Sequence, residues 1–273
     1  MQLRILLFIT FIIFLSSCAK DNNIYKPSEK KDPYLIYSEG LEAFKNNRFF
    51  LANKKFSEAE TNFSSPELAA KSAIMSSFSL YGINFYNESE ENLIRYLKTY
   101  PADKHVMYAH YLLAIIYYEQ IANEKNDLKP LIDARNKIDF FLKKYPESDY
   151  AIDLNLKRNL VENQFAAREL YIAKYYIEVQ KWVPAISRLK IIINDYDKTV
   201  FVEEALHRLV EIHYHIGLEE EAKKFATILG YNYNSSEWFE QSYKIFNKEY
   251  KKSLNIEIKK EKSFFDKIIK MIK

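Results

Sequence analysis

Only one cysteine, Cys18, occurs in the 273 residues, so the chain can form no internal disulfide. Its 4 glycines are too few for many tight hairpin turns or for a loop that cradles phosphate. No Cys-x-x-Cys, His-Glu-x-x-His or Gly-x-Ser-x-Gly pattern occurs. The histidines His105, His110, His207, His213 and His215 are five, six and two residues from their near neighbours, never the four that would put two ligands on one helix face. Carboxylates are plentiful, but a run such as Glu219, Glu220 and Glu221 reads as a solvated helix start. Neither sign of charge dominates: 40 Lys and Arg face 37 Asp and Glu, a net of +3, which gives no case for nucleic acid. These absences predict a protein that is not an enzyme and that uses no cofactor and no metal.

What is present is helix-forming. Glycine and proline are scarce, and tyrosine and phenylalanine recur at three- and four-residue spacing rather than in alternation. Pro33, Pro66, Pro101, Pro130, Pro146 and Pro184 fall at or just before the start of apolar-periodic runs, where a missing amide costs little. They divide the body into ten or eleven helices.

The first residues form a separate unit. A single positive charge at Arg4 precedes an eleven-residue apolar run, Ile5 to Leu15, too short to span a bilayer and the right length for the apolar part of a secretory signal. Leu15-Ser16-Ser17-Cys18 resembles the lipobox of bacterial lipoproteins, and the only cysteine stands in its acylated position. That resemblance implies a signal peptide over 1–17, cleavage before Cys18, and fatty acylation, including palmitate, of that residue. Several acyl chains make such an anchor stable. Ala19, where an Asp often retains lipoproteins at the inner membrane, implies the outer membrane with the body facing the periplasm. Residues 18–33 are polar and read as a tether.

Within the body a small residue is followed four positions later by an apolar one and three later by another. Ala52, Phe56 and Ala59 fit, as do Ser89, Leu93 and Tyr96; Ala134, Ile138 and Phe141; Ala185, Leu189 and Ile192; and Ala222, Ala226 and Leu229. Twelve residues ahead of four of these sets stand Gly40, Ser77, Ala173 and Val210, of which Val210 is the loosest fit. Three of the sets close with Tyr100-Pro101, Tyr145-Pro146 and Tyr196-Asp197. Small residues at matched points let antiparallel helices approach closely. This is the tetratricopeptide pattern, one helix pair per repeat. Starts at 52, 89, 134, 185 and 222 depart from the ideal period, so the repeats are degenerate, with extra length expected in 123–129 and in one long helix from about Ser148 to Gln180. The expected fold is all-α, a right-handed superhelix of about five degenerate helix pairs, with an amino-terminal half over 34–146 and a carboxy-terminal half over 147–235. A generic helical bundle is the competing architecture. Solenoids of this kind expose a concave face that binds extended segments. The 22 tyrosines suit such a face, and an AT-rich genome would enrich tyrosine equally.

Residues 236–273 read as a basic tail. From Lys251 to Lys273 eight lysines stand against Glu257, Glu261 and Asp266, a net of +5, with Phe264, Phe265, Ile268, Ile269 and Ile272 on roughly one helical face. Such a segment can touch anionic headgroups, dock on a partner, or simply cap the array.

A lipobox followed by five degenerate helix pairs resembles the BamD family, the tetratricopeptide lipoproteins of the outer-membrane β-barrel assembly (BAM) complex. The resemblance runs from Cys18 to about Tyr233 and is most specific in Tyr34 to Phe50, in the Tyr-Pro endings, and in Ala173-Lys174-Tyr175-Tyr176 leading to Lys181-Trp182-Val183-Pro184-Ala185-Ile186-Ser187-Arg188. Asp197 departs from the family's proline, and the chain from about Asn234 onward exceeds the usual family end. The resemblance implies partners: the POTRA domain of BamA, other BAM lipoproteins, unfolded outer-membrane proteins, and the membrane through the lipid anchor. It places Arg188, with Trp182, at the contact with BamA. An aromatic-ended β-signal would suit a surface bearing Tyr37, Phe44, Phe78, Tyr81 and Tyr108, residues that equally fit a packed core. The alternative function is another repeat lipoprotein, a pilotin for secretins or a coordinator of cell wall and envelope.

Overall fold

The structure is a computed structural model that describes residues 32–121 and 127–247. Eleven helices and no strand occur among the described residues: α1 (Pro33–Lys45), α2 (Phe49–Asn62), α3 (Pro66–Tyr81), α4 (Tyr86–Thr99), α5 (Val106–Glu119), α6 (Lys129–Lys144), α7 (Asp149–Glu178), α8 (Trp182–Asp195), α9 (Val202–His215), α10 (Glu219–Asn232) and α11 (Glu237–Phe246). The all-α expectation therefore holds. Cys18, the signal, and nearly all of the tether lie outside the described residues, as does the basic stretch from Lys251. Residues 237–246, read from sequence as the start of that tail, form α11, whose N-cap Ser236 accepts a hydrogen bond from the Phe239 amide at 3.2 Å.

The repeating triplets fall on the even-numbered helices α2, α4, α6, α8 and α10, and they are the core. Every triplet residue is fully buried except Ala226, which is half-buried. Gly40, Ser77, Ala173 and Val210, from the helices that precede, are buried as well, including the loosest fit, Val210. Gly40 shows what the small residue achieves: a methyl group there would meet the Phe56 ring carbons at 2.9 Å. The two helices approach until a ring lies on a backbone.

The ends of the helices are as regular as their faces. In each even-numbered helix an aromatic C-cap donates its amide to the carbonyl of the third triplet residue: Phe63 to Ala59, Tyr100 to Tyr96, Tyr145 to Phe141, Tyr196 to Ile192 and Tyr233 to Leu229. Four of the turns that lead into these helices carry a left-handed residue five positions ahead of the small one: Asn47, Asn84, Gln180 and Gly217. Each is followed by an amide that reaches back five residues, Arg48 to Ala43 and Leu218 to His213 both at 2.8 Å among them. This is the Schellman closure, which satisfies carbonyls the helix end would otherwise strand.

The chain divides into two compact units, Met1–Ser79 and Leu80–Lys273. In the first, α1 packs on α2 around Ala43, Ala52 and Phe56, with Tyr37, Leu41, Phe44 and Met75 against them. In the second, α5 pairs with α6, α7 with α8 and α9 with α10, and α6–α7 and α8–α9 contacts join the pairs. Helix α7 has 30 residues, about 45 Å at 1.5 Å per residue. Its first half, with Leu154 and Val161, belongs to one hydrophobic cluster, and its second half, with Leu170 and Ala173, to another. It is the long helix that the stretched repeat spacing called for.

Candidate partner-binding surfaces

In the first unit Tyr37 and Phe44 stand seven residues apart on one face of α1. Tyr37 packs tilted on Phe56 at 5.3 Å and edge-on to Phe63 at 6.3 Å. Phe44 lies between Phe49 at 5.2 Å and Phe78 at 5.6 Å. All three predicted residues are half-buried. They roof the small core and keep an edge toward solvent, so packing and contact with a ligand are not exclusive roles. Burial raises the pKa of the Tyr37 hydroxyl, and the Lys71 ammonium stands 5.5 Å from the ring centroid. Near neutral pH the Tyr37 ring is therefore uncharged, with that cation beside it.

The second unit gathers tyrosines from three odd-numbered helices. Tyr81 ends α3, Tyr108 and Tyr111 lie on α5, and Tyr150 opens α7. Tyr111 stacks on Tyr150 at 4.5 Å, and Tyr108 lies 5.8 Å from Tyr150 and 6.1 Å from Tyr111. The Tyr111 hydroxyl donates to Asp153 at 2.9 Å, and Lys157 donates to the same carboxylate at 2.7 Å. Burial, together with the Asp153 charge and hydrogen bond, pushes the Tyr111 phenol up, and burial pushes Tyr108 up. Tyr81 and Tyr108 were legible candidates. Tyr111 and Tyr150 were not, because the signal that joins them is a pairing 39 residues apart, between helices that sequence alone does not place together.

Arg188 and Trp182, coupled in the sequence reading, face different neighbours. Arg188 leaves α8 toward α7, where its Nη1 donates to both carboxylate oxygens of Glu169, at 3.0 and 3.3 Å. Its side chain is 38% exposed. A guanidinium carries five N–H donors, so Glu169 can fix it while it also serves a second carboxylate. Trp182 opens α8 on the other side, 5.0 Å from the His215 ring. It lines a cleft of about 450 Å³ with Ile177, Ile212, Tyr214, His215 and Ile245, and Arg208 and Glu211 stand at the same cleft.

Among the described residues no three His, Cys, Asp or Glu side chains are grouped to hold a metal, and no helix is long and apolar enough to cross a membrane. The buried histidines have other partners. His207 Nδ1 lies 2.8 Å from the Ser242 hydroxyl, and His213 Nδ1 lies 2.7 Å from the Leu209 carbonyl.

Residues 29–228 match the YfiO family, described as an outer membrane lipoprotein. The chain is 30% identical over 210 residues to the outer membrane protein assembly factor BamD of Rickettsia prowazekii, covering 77% of this chain and 84% of that one. It is 32% identical over 219 residues to the BamD of Caulobacter vibrioides, covering 80% and 72% respectively. Among solved structures, a thermophilic tetratricopeptide protein of Thermus thermophilus aligns with a TM-score of 0.36 at 15% identity, over 78% of this chain and 98% of that one.

Proposed function

This chain belongs to the YfiO family of outer membrane lipoproteins, the outer membrane protein assembly factors BamD, and from that membership we propose that it is a non-catalytic scaffold which holds the POTRA domain of BamA and presents unfolded outer-membrane proteins for insertion. Its carboxy-terminal pairs take BamA through Arg188. Its aromatic surfaces, Tyr37, Phe44 and Phe78 in one unit and Tyr81 and Tyr108 in the other, take the extended, aromatic-ended segments of substrates. Acylated Cys18 keeps the body at the outer membrane, on the periplasmic side, beside the other lipoproteins of the complex.

The observation that carries the BamA contact is the setting of Arg188. The pair with Glu169 orients the guanidinium while 38% of the side chain remains in solvent, the arrangement expected of a positioned arginine that meets a carboxylate on another protein. The substrate reading rests on neutral rings with exposed edges on helices of both units, which suit an extended chain bearing apolar side chains at alternate positions.

Arg188→Glu tests the first contact. It puts two carboxylates side by side and reverses the charge offered to BamA, so capture of the BamA periplasmic domain should weaken about tenfold, or 1.4 kcal/mol. A melting curve monitors folding separately, and unchanged capture by a folded variant removes Arg188 from the contact. Co-purification from detergent-solubilised envelopes tests the whole reading. BamA in the eluate supports it, whereas a secretin or a Tol component without BamA would transfer the chain to the pilotin or envelope-coordinating class. Cys18→Ser should release the protein from the outer-membrane fraction, and its retention there would exclude anchoring through that residue.

A further inference from the structure

The cleft beside Trp182 is not needed for the Arg188 contact, and it has an unusual construction. Its apolar floor is Ile177, Trp182, Ile212 and Ile245. Ile177 lies in the last turn of α7, Ile212, Tyr214 and His215 at the end of α9, and Ile245 in the last turn of α11. Three helix C-termini therefore converge on it against one N-terminus, that of α8. Each C-terminus carries up to roughly half a negative charge from its aligned peptide dipoles, less at α7 and α9, where the closing turns pair part of the terminal carbonyls. The side chains at the rim do not offset this excess. Arg208 is held by Glu211 at 2.7 Å and Glu204 at 3.3 Å, and Glu204 in turn takes Lys174 at 2.8 Å, so two bases balance two acids. What fits is an occupant both apolar and basic.

Such a segment leaves the structure at the cleft itself. Ile245 lines the cleft, Phe246 meets Tyr214 edge-on at 5.6 Å, and Asn247 is the last described residue. Lys251 to Lys273 has eight lysines against three acids. Leu254, Ile256 and Ile258 follow Asn247 by seven to eleven residues, a span of about 23 to 36 Å when extended, so they can turn back onto the cleft. We infer that the basic apolar segment 248–273 of this chain seats over the cleft formed by Ile177, Trp182, Ile212 and Ile245, its side chains covering the apolar floor and its lysines meeting the three helix C-termini. This inference does not depend on the identity of any partner.

The chain has 2 tryptophans, so Trp238→Phe leaves Trp182 as the single reporter in the cleft. Acrylamide quenching of Trp182 is compared between the full chain and the same chain ended after Asn247. Ending the chain should raise the quenching constant about twofold, and a synthetic 248–273 peptide should restore it. Equal quenching in buffer overturns the proposal. That includes the case in which phosphatidylglycerol vesicles, but not the protein, bind the peptide, because the segment would then seek lipid and leave the cleft open. Trp238 packs beside His207, so its substitution can disturb folding. Hydrogen exchange on chains that retain both tryptophans gives a second reading. Loss of the segment should speed exchange at 176–182 and 212–217 and leave α5 and α6 unchanged, and uniform exchange in the two chains overturns the proposal equally.

Discussion

The two compact units are built from different materials. The core of Met1–Ser79 is mostly alanine, with Ile36 and Ile74, around one fully buried ring: Ala43 and Ala52 flank Phe56, and Gly40 lets that ring lie against the backbone of α1. Its third helix buries hydroxyls, with Ser76 donating to Asn53 at 2.7 Å and Ser72, Ser77 and Ser79 turned back on carbonyls of their own helix. Leu80–Lys273 instead spreads its burial over many leucine, isoleucine and valine side chains in two clusters that share α7. A core with one aromatic ring and few large aliphatic side chains depends heavily on that ring. A core of many medium ones can lose any single member and retain most of its apolar area.

The largest expected effect separates these cases. Phe56 and Phe141 are both fully buried, so Phe→Ala at either costs about 3–5 kcal/mol. Phe56→Ala should abolish hydrogen-exchange protection throughout α1 and α2 and spare α5 to α10. Phe141→Ala should weaken protection near α5 and α6 in proportion to its cost without abolishing it. Equal, chain-wide loss from both would show one cooperative body and end the comparison. Gly40→Ala acts on the same ring from the other side, because its methyl would stand 2.9 Å from Phe56. Overpacking of this kind costs about 1–3 kcal/mol. Phe56→Leu should relieve part of that cost in the double variant, which thermal melts of the four-member cycle would read as a coupling.

Much of this architecture was legible because it is local. The triplets and the small residues twelve positions ahead follow the helical period, and period needs only one sequence. The caps were half legible. Tyr100 and Tyr145 are followed by proline and announce themselves, whereas Phe63 and Tyr233 make the same bond with no proline after them. Asn47, Asn84 and Gln180 occupy left-handed turns where glycine would be the expected mark, and only Gly217 carries it. Asparagine tolerates that region, so the first two were readable in register with the small residue; Gln180 was not. The pairings that shape the candidate surfaces join distant positions. Tyr111 finds Asp153 across 42 residues and Arg188 finds Glu169 across 19, and neither follows from spacing.

Asp103 gives a smaller test, confined to the second unit. Its carboxylate accepts from the Tyr96 hydroxyl at 2.5 Å and from the His105 amide at 2.9 Å, tying the turn after α4 to a fully buried ring. Burial alone would raise its pKa, but the bonds from Tyr96 and His105 outweigh burial and hold it below the usual carboxylate range. Asp103→Asn keeps an acceptor and removes the charge, so it should cost about 1–2 kcal/mol. The loss should show as faster exchange at 100–109 with α1 and α2 untouched. An unchanged melt would mean that Tyr96 is held by packing alone.

The smallest effect is one of pH, and it sharpens the contrast because all five histidines lie in Leu80–Lys273. Burial, then the charges of Lys144 and Lys137, depress the His110 imidazole from 6.5 to about 4. In the unfolded chain the same ring takes its proton near 6.5. Between those values the unfolded state binds a proton that the folded state refuses. The His110 contribution is therefore complete above about pH 6.5 and is lost as the pH falls toward about 4. His110→Gln should flatten that part of the profile for α5 and α6, whose residues Phe140 and Lys144 contact the ring. Protection in α1 and α2 should not change between pH 7 and 5 in either chain, because Met1–Ser79 contains no histidine. A parallel loss in both units would mean that acid acts through net charge rather than through this ring.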